Sequence, residues 1–557
     1  MIFSKPYSAD ALVTSLLVSL PALLLSATAL AQIAPDAGRV LQESAPRLEA
    51  PKPSPALGIE SPALPDILPG GAQVELKKVL ITGNTRYNEA DLLLVLGDVT
   101  GKSYDLGGLK GLANRISEHY RTAGYSFALA YLPAQSMQDG VLNIDIVEGR
   151  YGQIKASGDP ELSAAAQSFL ATLSTGAVID SAPLERVALL MGDLPGIRVA
   201  PILRPGQELG TGDLDVQVER TARFGGELGL DSYGNRYTGR NRVRLNLNAD
   251  SPFMLGDQIT LNSLYTDERM WLGNLGYNLP LGASGLRGQL SYAHTAYVLA
   301  QEFASADASG TAQTSTLGLT NPMIRSQRVN LNLLLSLQHK ELYDEQGSAN
   351  TQSDKSSNLI SLGLGFNLRD GLLGGGISYG SLAWAFGELD IGASVIAQDQ
   401  ATANTQGGFN KLNLDVARIQ VLPASFMLYG RVSAQFASNN LDSSEKFGLG
   451  GAYGVRAYPS GEGFGDRGWL TQIELRYPVD AFTPYAFYDA GRVTINANPW
   501  EPGTNDRSLA GGGFGVRYQQ GGWNLEALLA WRTHGGKPES DTQDKRPLGW
   551  FNLSYKF

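Results

Sequence analysis

From Thr221 to the end of the chain, apolar and polar positions alternate with a period of two, and no helical pattern of any length interrupts them. Val243, Leu245 and Leu247 alternate with Arg242, Arg244, Asn246 and Asn248; Val329, Leu331, Leu333, Leu335 and Leu337 face away from Asn330, Asn332, Ser336 and Gln338. The same pattern recurs through Ile360, Leu362, Leu364, Phe366 and Leu368, through Phe426 to Phe436, and through Phe514 to Tyr518. Such alternation predicts strands with one apolar and one polar face. A soluble sandwich would also alternate, but here charged residues recur on the face that would form its core. A closed sheet with lipid outside and water inside accommodates both faces. The expected fold is therefore mainly β: a transmembrane antiparallel β-barrel over 221–557. At about twenty residues for each strand with its turn, this stretch makes about sixteen strands the natural even number.

Upstream the period changes. Val74–Ile81 alternates and stops at Gly83-Asn84, Ala90–Leu96 is a short helical run, and Leu109, Leu112, Ala113, Ile116 and Tyr120 recur at helical spacing within 106–123. Phe127–Leu132 and Val141–Val147 then read as two strands. A second, less regular set follows: strand 151–156, helices 164–173 and 184–191, and strands 199–203 and 213–219. Two α/β domains are expected, over 73–149 and 150–220. Prolines at 35, 46, 51, 53, 55, 62, 65 and 69 make 32–72 a linker, within which 36–43 is the one stretch suited to a helix, capped by Asp36. Lys5, an apolar run from Ala11 to Leu30 and Ala29-Leu30-Ala31 before Gln32 predict a secretory signal over 1–31. A membrane helix competes for that run, but no second run of eighteen apolar residues accompanies it.

Composition narrows the function. A formal net charge of -10 argues against a nucleic-acid partner, and the absence of cysteine removes disulfides, thiolate metal sites and thiol nucleophiles. His119, His294, His339 and His534 lack metal-ligand spacing, and there is no Gly-x-Ser-x-Gly elbow. Gly97–Ser103 resembles a phosphate loop but is one residue short and follows a helical run instead of a strand. Asp442 and Glu445 sit in polar turn sequence. The expectation is no catalytic residue, no metal and no cofactor. Sixty-six glycines, twenty-three tyrosines and seven tryptophans suit a turn-rich, aromatic-girdled barrel.

Phe447–Trp469 stands apart, being too Gly-rich for a strand and too aromatic for a free linker. At its centre Val455-Arg456-Ala457-Tyr458 sets one cation among apolar neighbours, and downstream Phe487-Tyr488-Asp489-Ala490-Gly491 offers a carboxylate in a strand-like run. The pair resembles the Val-Arg-Gly-Tyr loop motif and the Phe-x-Asp-x-Gly wall motif of two-partner secretion transporters, the haemolysin secretion/activation family of outer-membrane pores. Ala457 departs from that motif, standing where the family usually has Gly. The 73–149 and 150–220 units are similar to periplasmic POTRA domains, with Gly83-Asn84, Gly124-Tyr125 and Val147-Glu148-Gly149 as landmarks. Phe551, Leu553, Tyr555 and Phe557 alternate to an aromatic end that resembles the insertion signal of outer-membrane barrels.

The resemblance implies an outer-membrane pore that secretes, with or without activating it, a large haemolysin- or adhesin-type exoprotein. The units in the periplasm would capture the unfolded client by β-augmentation, a helix near 36–43 would plug the pore, and outer-membrane lipid and the barrel-assembly machinery would be further partners. It also implies a loop-to-wall lock of Arg456 and Asp489 with Val455, Tyr458, Phe487 and Gly491. Strand parity agrees, because Tyr488 and Ala490 toward lipid put Phe487, Asp489 and Gly491 inward. Two other classes compete. A barrel-assembly insertase usually carries more POTRA units than the two readable here, and a passive porin has no reason to carry any.

Overall fold

The computed structural model describes residues 34–44, 48–52 and 70–557. The expected signal over 1–31 and its cleavage site lie outside these residues, as does most of the Pro-rich linker.

Among the described residues sixteen strands close into one antiparallel barrel, from Phe224–Asp231 to Leu548–Lys556. Successive strands pair with their neighbours, and the last returns to the first through Asn552–Lys556 against Glu227–Asp231. The alternation sets the register in space. Leu247, Leu261, Leu275, Leu290, Leu317, Leu337 and Ile360 are exposed on the outer face, with Trp384, Phe514 and Trp523 among them. The residues between them point into the lumen. The sixth to ninth barrel strands, Ala308–Arg325, Val329–Gln346, Thr351–Asp370 and Gly376–Ile391, are 16 to 20 residues long. About ten tilted residues cross a bilayer, so these four stand well beyond it on the side away from the α/β units.

The first α/β unit carries a three-stranded sheet in the order Lys78–Thr82, Val141–Val147, Leu129–Tyr131. Helices α2 (Glu89–Leu96) and α3 (Leu106–Thr122) cover it, α1 being the lone upstream helix Ala37–Glu43. Leu112, Ile116, Tyr120, Leu142 and Ile144 fill the core between sheet and helices. Under them Glu148 is almost fully buried and accepts hydrogen bonds from the Thr85 and Arg86 N–H groups at 2.6 and 2.8 Å and from Tyr120 at 3.0 Å.

In the second unit the sheet runs Arg150–Gly158, Thr211–Arg220, Ile197–Pro205, with helices α4 (Pro160–Ala166) and α5 (Ser181–Gly192). Here α4 begins earlier than the periodicity predicts and turns into a 3-10 helix over Gln167–Thr172. Asp159 caps it by accepting from Glu161 N and Leu162 N, and Pro160 fits the first turn because its missing N–H would have no partner there. This unit is docked on the barrel rim. Arg325 grips Asp193 with two hydrogen bonds at 2.6 and 2.7 Å, and Arg186 donates to the Pro322 carbonyl at 2.8 Å.

Candidate functional site

The long connection between the eleventh and twelfth barrel strands (Met427–Ala437 and Arg467–Arg476) folds back into the lumen. A two-residue ladder, Phe447–Gly448 against Phe464–Gly465, closes its neck. Beyond the neck the Leu449 carbonyl accepts from Val455 N and the Val455 carbonyl from Tyr458 N, so Arg456 sits on a tight bend aimed at the wall.

Arg456 is 3% exposed and fully engaged. Its Nε and Nη2 donate to the two oxygens of Asp489 at 2.8 and 2.7 Å, and its backbone N–H reaches Asp489 Oδ2 at 3.1 Å. Nη1 donates to Glu474 at 2.5 Å. The guanidinium lies over the Phe487 ring, 3.7 Å from its centre, and Trp550 Nε1 donates to the Arg456 carbonyl at 2.7 Å. A planar cation forked onto one carboxylate and stacked on a ring uses all that distinguishes arginine from lysine. Burial is tolerable because every polar atom has a partner.

Around this contact Val455 and Tyr458 are completely buried, and the Tyr458 hydroxyl faces the His534 and Gly536 carbonyls at 2.7 and 3.0 Å. Gly491 is required by close approach, since a Cβ there would lie 2.7 Å from both Leu449 Cδ2 and the Trp469 carbonyl. The fourteenth barrel strand (Asp506–Gln520) shows Gly511, Gly513 and Gly515 to the lumen opposite Asp489, Phe487 and Tyr485. A Cβ on Gly511 would stand 2.3 Å from that of Ala457. The wall is thus hollowed where the loop presses closest.

Several partners escape a reading of motifs. Glu474 is shared by Arg456, Arg476 and Arg517, and Glu526 accepts from Arg517, Tyr485 and Tyr233. Beside the neck Glu462 has no exposed side-chain surface and accepts from Arg507 at 2.6 Å and from the Ser540 hydroxyl at 2.7 Å. Glu474 and Glu526 have inward parity on their strands, but parity carries no information on which loop meets them.

The helix α1 lies in the lumen beside this loop. Asp36 caps it, accepting from Arg39 N at 2.9 Å and from the Ser443 hydroxyl at 2.7 Å. Ala37 N donates to Asp344 and Asn235 donates to Glu43, each at 2.9 Å. Gly38 lets the helix touch the 443–444 backbone, because a Cβ would fall 2.5 Å from Ser444 N. Ala37 and Val40 pack against Tyr237, Tyr297 and Leu342. Phe551, Tyr555 and Phe557 stand exposed on the outer face of the last strand with Leu553 between them; Tyr555 packs on Trp523 with ring centres 4.7 Å apart. Among the described residues no cluster of His, Asp and Glu is arranged to hold a metal ion.

The family model described as haemolysin secretion/activation protein ShlB/FhaC/HecB matches residues 210–518, and the POTRA domain model of the ShlB type matches 74–149. The chain is similar to the heme/hemopexin transporter protein HuxB of Haemophilus influenzae, 28% identical over 84% of this chain and 85% of that one. It is also similar to the hemolysin transporter protein HpmB of Proteus mirabilis, 26% identical over 84% of each. Among solved structures, CdiB from Escherichia coli superposes with a TM-score of 0.70 at 18% identity, covering 93% of this chain and 95% of that one.

Proposed function

The chain belongs to the haemolysin secretion/activation family, and from that premise we propose that the Arg456 loop is the gate of its pore. As a member it is an outer-membrane transporter that secretes an exoprotein client by two-partner secretion, with its POTRA domains in the periplasm. The family is one of secretion channels.

The observation that carries the gate is the burial of one cation between loop and wall, held by Asp489 and Glu474. Ionic contacts that are complete on one arrangement and absent in another make a two-state element, which a client entering from the periplasm can bias. The helix α1 closes the rest of the lumen as a plug, and the linker over 32–72 lets it withdraw toward the periplasm. Residues 73–149 and 150–220 capture the unfolded client through free sheet edges, and 221–557 form the pore. Relatives named for hemopexin and haemolysin transport point to a large haemolysin- or adhesin-type client. The outward row ending at Phe557 meets outer-membrane lipid and is the signal that the barrel-assembly machinery reads on insertion.

The test is co-expression with a large exoprotein client. Release of the client to the medium should require this chain, and deletion of 74–147 should stop release while leaving a heat-modifiable barrel in the membrane. Undiminished release by that deletion reduces the two units to spacers. Release that does not depend on the chain removes the secretion reading.

A further inference from the structure

We propose that the uncharged inner face of the third to ninth barrel strands, Gln258–Thr266 through Gly376–Ile391, is the track on which the client's extended backbone slides. The proposal rests on the reading that the client crosses by the lumen.

The register divides the inner wall in two. Asn246, Asn262 and Asn274 stand side by side on three neighbouring strands. Nearer the periplasm Gln258, Asn278 and Gln289 form a second row. Asn330 donates to Asn367 at 2.7 Å, with Asn332 next inward on the same strand. Between the rows most inward positions are hydroxyls and small residues, as at Ser291, Thr316, Ser336 and Ser361, with Leu334 the apolar exception opposite Gly363. From the periplasmic rim, marked by Arg287, Arg325 and Arg369, to the level of Lys340 and Lys355, no Asp, Glu, Lys or Arg faces inward on these seven strands. The opposite wall is the reverse. Asp415, Arg431, Glu474, Asp489, Arg517 and Glu526 face inward there, in ion pairs around the gate loop.

A polypeptide in transit presents one donor and one acceptor per residue, and these need partners wherever the lumen narrows and water thins. Asn and Gln side chains offer both kinds of group, and Ser and Thr hydroxyls do the same. They pair with any backbone whatever its sequence. Fixed charges would retain client side chains of one sign and repel the other. A neutral wall passes acidic and basic segments alike.

The structure already holds a polypeptide at the foot of this face. Residues 48–52 of the chain itself run non-helically through the lumen, with Leu48–Ala50 on the charged side beside Arg431, Arg517 and Glu526 and the next two residues crossing to the neutral face. Pro51 and Lys52 enter a cavity of about 850 Å³ lined by Asn278, Asn330, Asn332 and Asn367. Arg369 donates to the Lys52 carbonyl at 3.1 Å. At the head of the same face α1 covers Tyr297, Ala312 and Leu342 of the fifth to seventh strands. Pro51 and Lys52 at one end and α1 at the other occupy the two ends of the track, so the client follows the path that they vacate.

Because the full chain contains no cysteine, single cysteines report on contact without background. Asn274→Cys, Gln289→Cys and Ser336→Cys sample the track, and Ile419→Cys and Asn524→Cys sample the opposite inner wall. With a single-cysteine client arrested in transit, mild oxidation should give disulfide-linked adducts at the first three positions and few at the last two. Equal adducts on both walls, or adducts on the charged wall alone, overturn the track. Absence of adducts from every lumen position with export intact overturns the lumen route together with the track. A rate measurement supplies a second arm. Asn274→Asp combined with Ser336→Asp should slow export about tenfold relative to Asn274→Gln combined with Ser336→Thr, with equal amounts of folded barrel. Equal rates in the two pairs overturn the requirement for neutrality.

Discussion

Replacing Arg456 by Ala tests the gate most directly. The change removes three side-chain hydrogen bonds and the stack on Phe487, and leaves Asp489, which has no exposed surface, with only the backbone N–H of residue 456. Breaking a buried pair by deleting one partner costs about 3–5 kcal/mol, most of it from the stranded charge. Asp489→Ala strands less, because Arg456 keeps Glu474 at 2.5 Å; about 2–3 kcal/mol is expected. Neither figure approaches the stability of a closed barrel, so the loop should leave the wall while the wall stays folded. A Val455→Cys reporter in the cysteine-free chain reads the open population through its labelling rate, since Val455 is completely buried when the loop is docked. Adding Arg456→Ala should raise labelling by a factor of about 10² to several times 10³, and Asp489→Ala by a smaller factor. The double variant should exceed Arg456→Ala only slightly, because both changes remove one contact. Arg456→Lys should not restore docking, as an ammonium can neither fork onto Asp489 nor lie flat on Phe487. Unchanged labelling with normal export in Arg456→Ala, or losses that add as independent sites do, would refute the reasoning.

Three further outcomes are expected. Gly511→Ala should undock the loop by collision with Ala457, and Ala457→Gly should restore docking in part, the residual defect coming from the Trp531 carbonyl 2.8 Å from the new Cβ; the same labelling assay reads both. Val40→Asp places a carboxylate among Tyr237, Tyr297 and Leu342, so α1 should leave the lumen and single-channel conductance in planar bilayers should rise with barrel yield unchanged. In the first periplasmic unit, burial pushes the Glu148 carboxyl up, but hydrogen bonds from Thr85, Arg86 and Tyr120 outweigh it and hold it below its ordinary 4.5. Its contribution to stability is therefore present above pH about 4.5 and lost as pH falls through the lowered value. Glu148→Gln should lower the melting temperature of the unit near neutrality and flatten its acid dependence, measured by circular dichroism on the full chain.

The barrel was legible because period-two alternation must hold on every strand that separates lipid from water. Val243 to Leu247 and Ile360 to Leu368 each declare a face without help from neighbours. The α/β units were legible in order but blurred at their ends. Strand and helix limits shifted by a few residues, and α4 was missed in its first turn because the cap Asp159 and Pro160 lie outside the apolar period. Arg456 and Asp489 could be singled out as a lone cation and an inward carboxylate. Glu474 and Trp550 could not be assigned to the same contact, since they reach Arg456 across 18 and 94 positions by the curvature of the wall. The hollow at Gly511, Gly513 and Gly515 leaves no signal in the alternation of its strand. Its sense emerges only when Ala457 and Phe487 are seen to fill it.

The way the barrel shuts fixes an order in time. Its final ladder joins Ser232 to Phe551, 319 positions apart, and Phe557 exchanges backbone hydrogen bonds with Gly226. Every partner that fixes Arg456 by its side chain or carbonyl lies downstream of it, Trp550 on the closing strand included. A nascent chain therefore cannot set its gate before the sixteenth strand is in place, nor seal its wall before Phe557 has reached Gly226. Non-local pairing of this kind is slow, and the unsealed intermediate leaves two unpaired edges exposed. Loss of the closing strand, Leu548–Lys556, would remove the closing ladder together with the Trp550 clasp on the gate. Arrival of the closing strand is thus sensed by the same contacts that make the membrane tight.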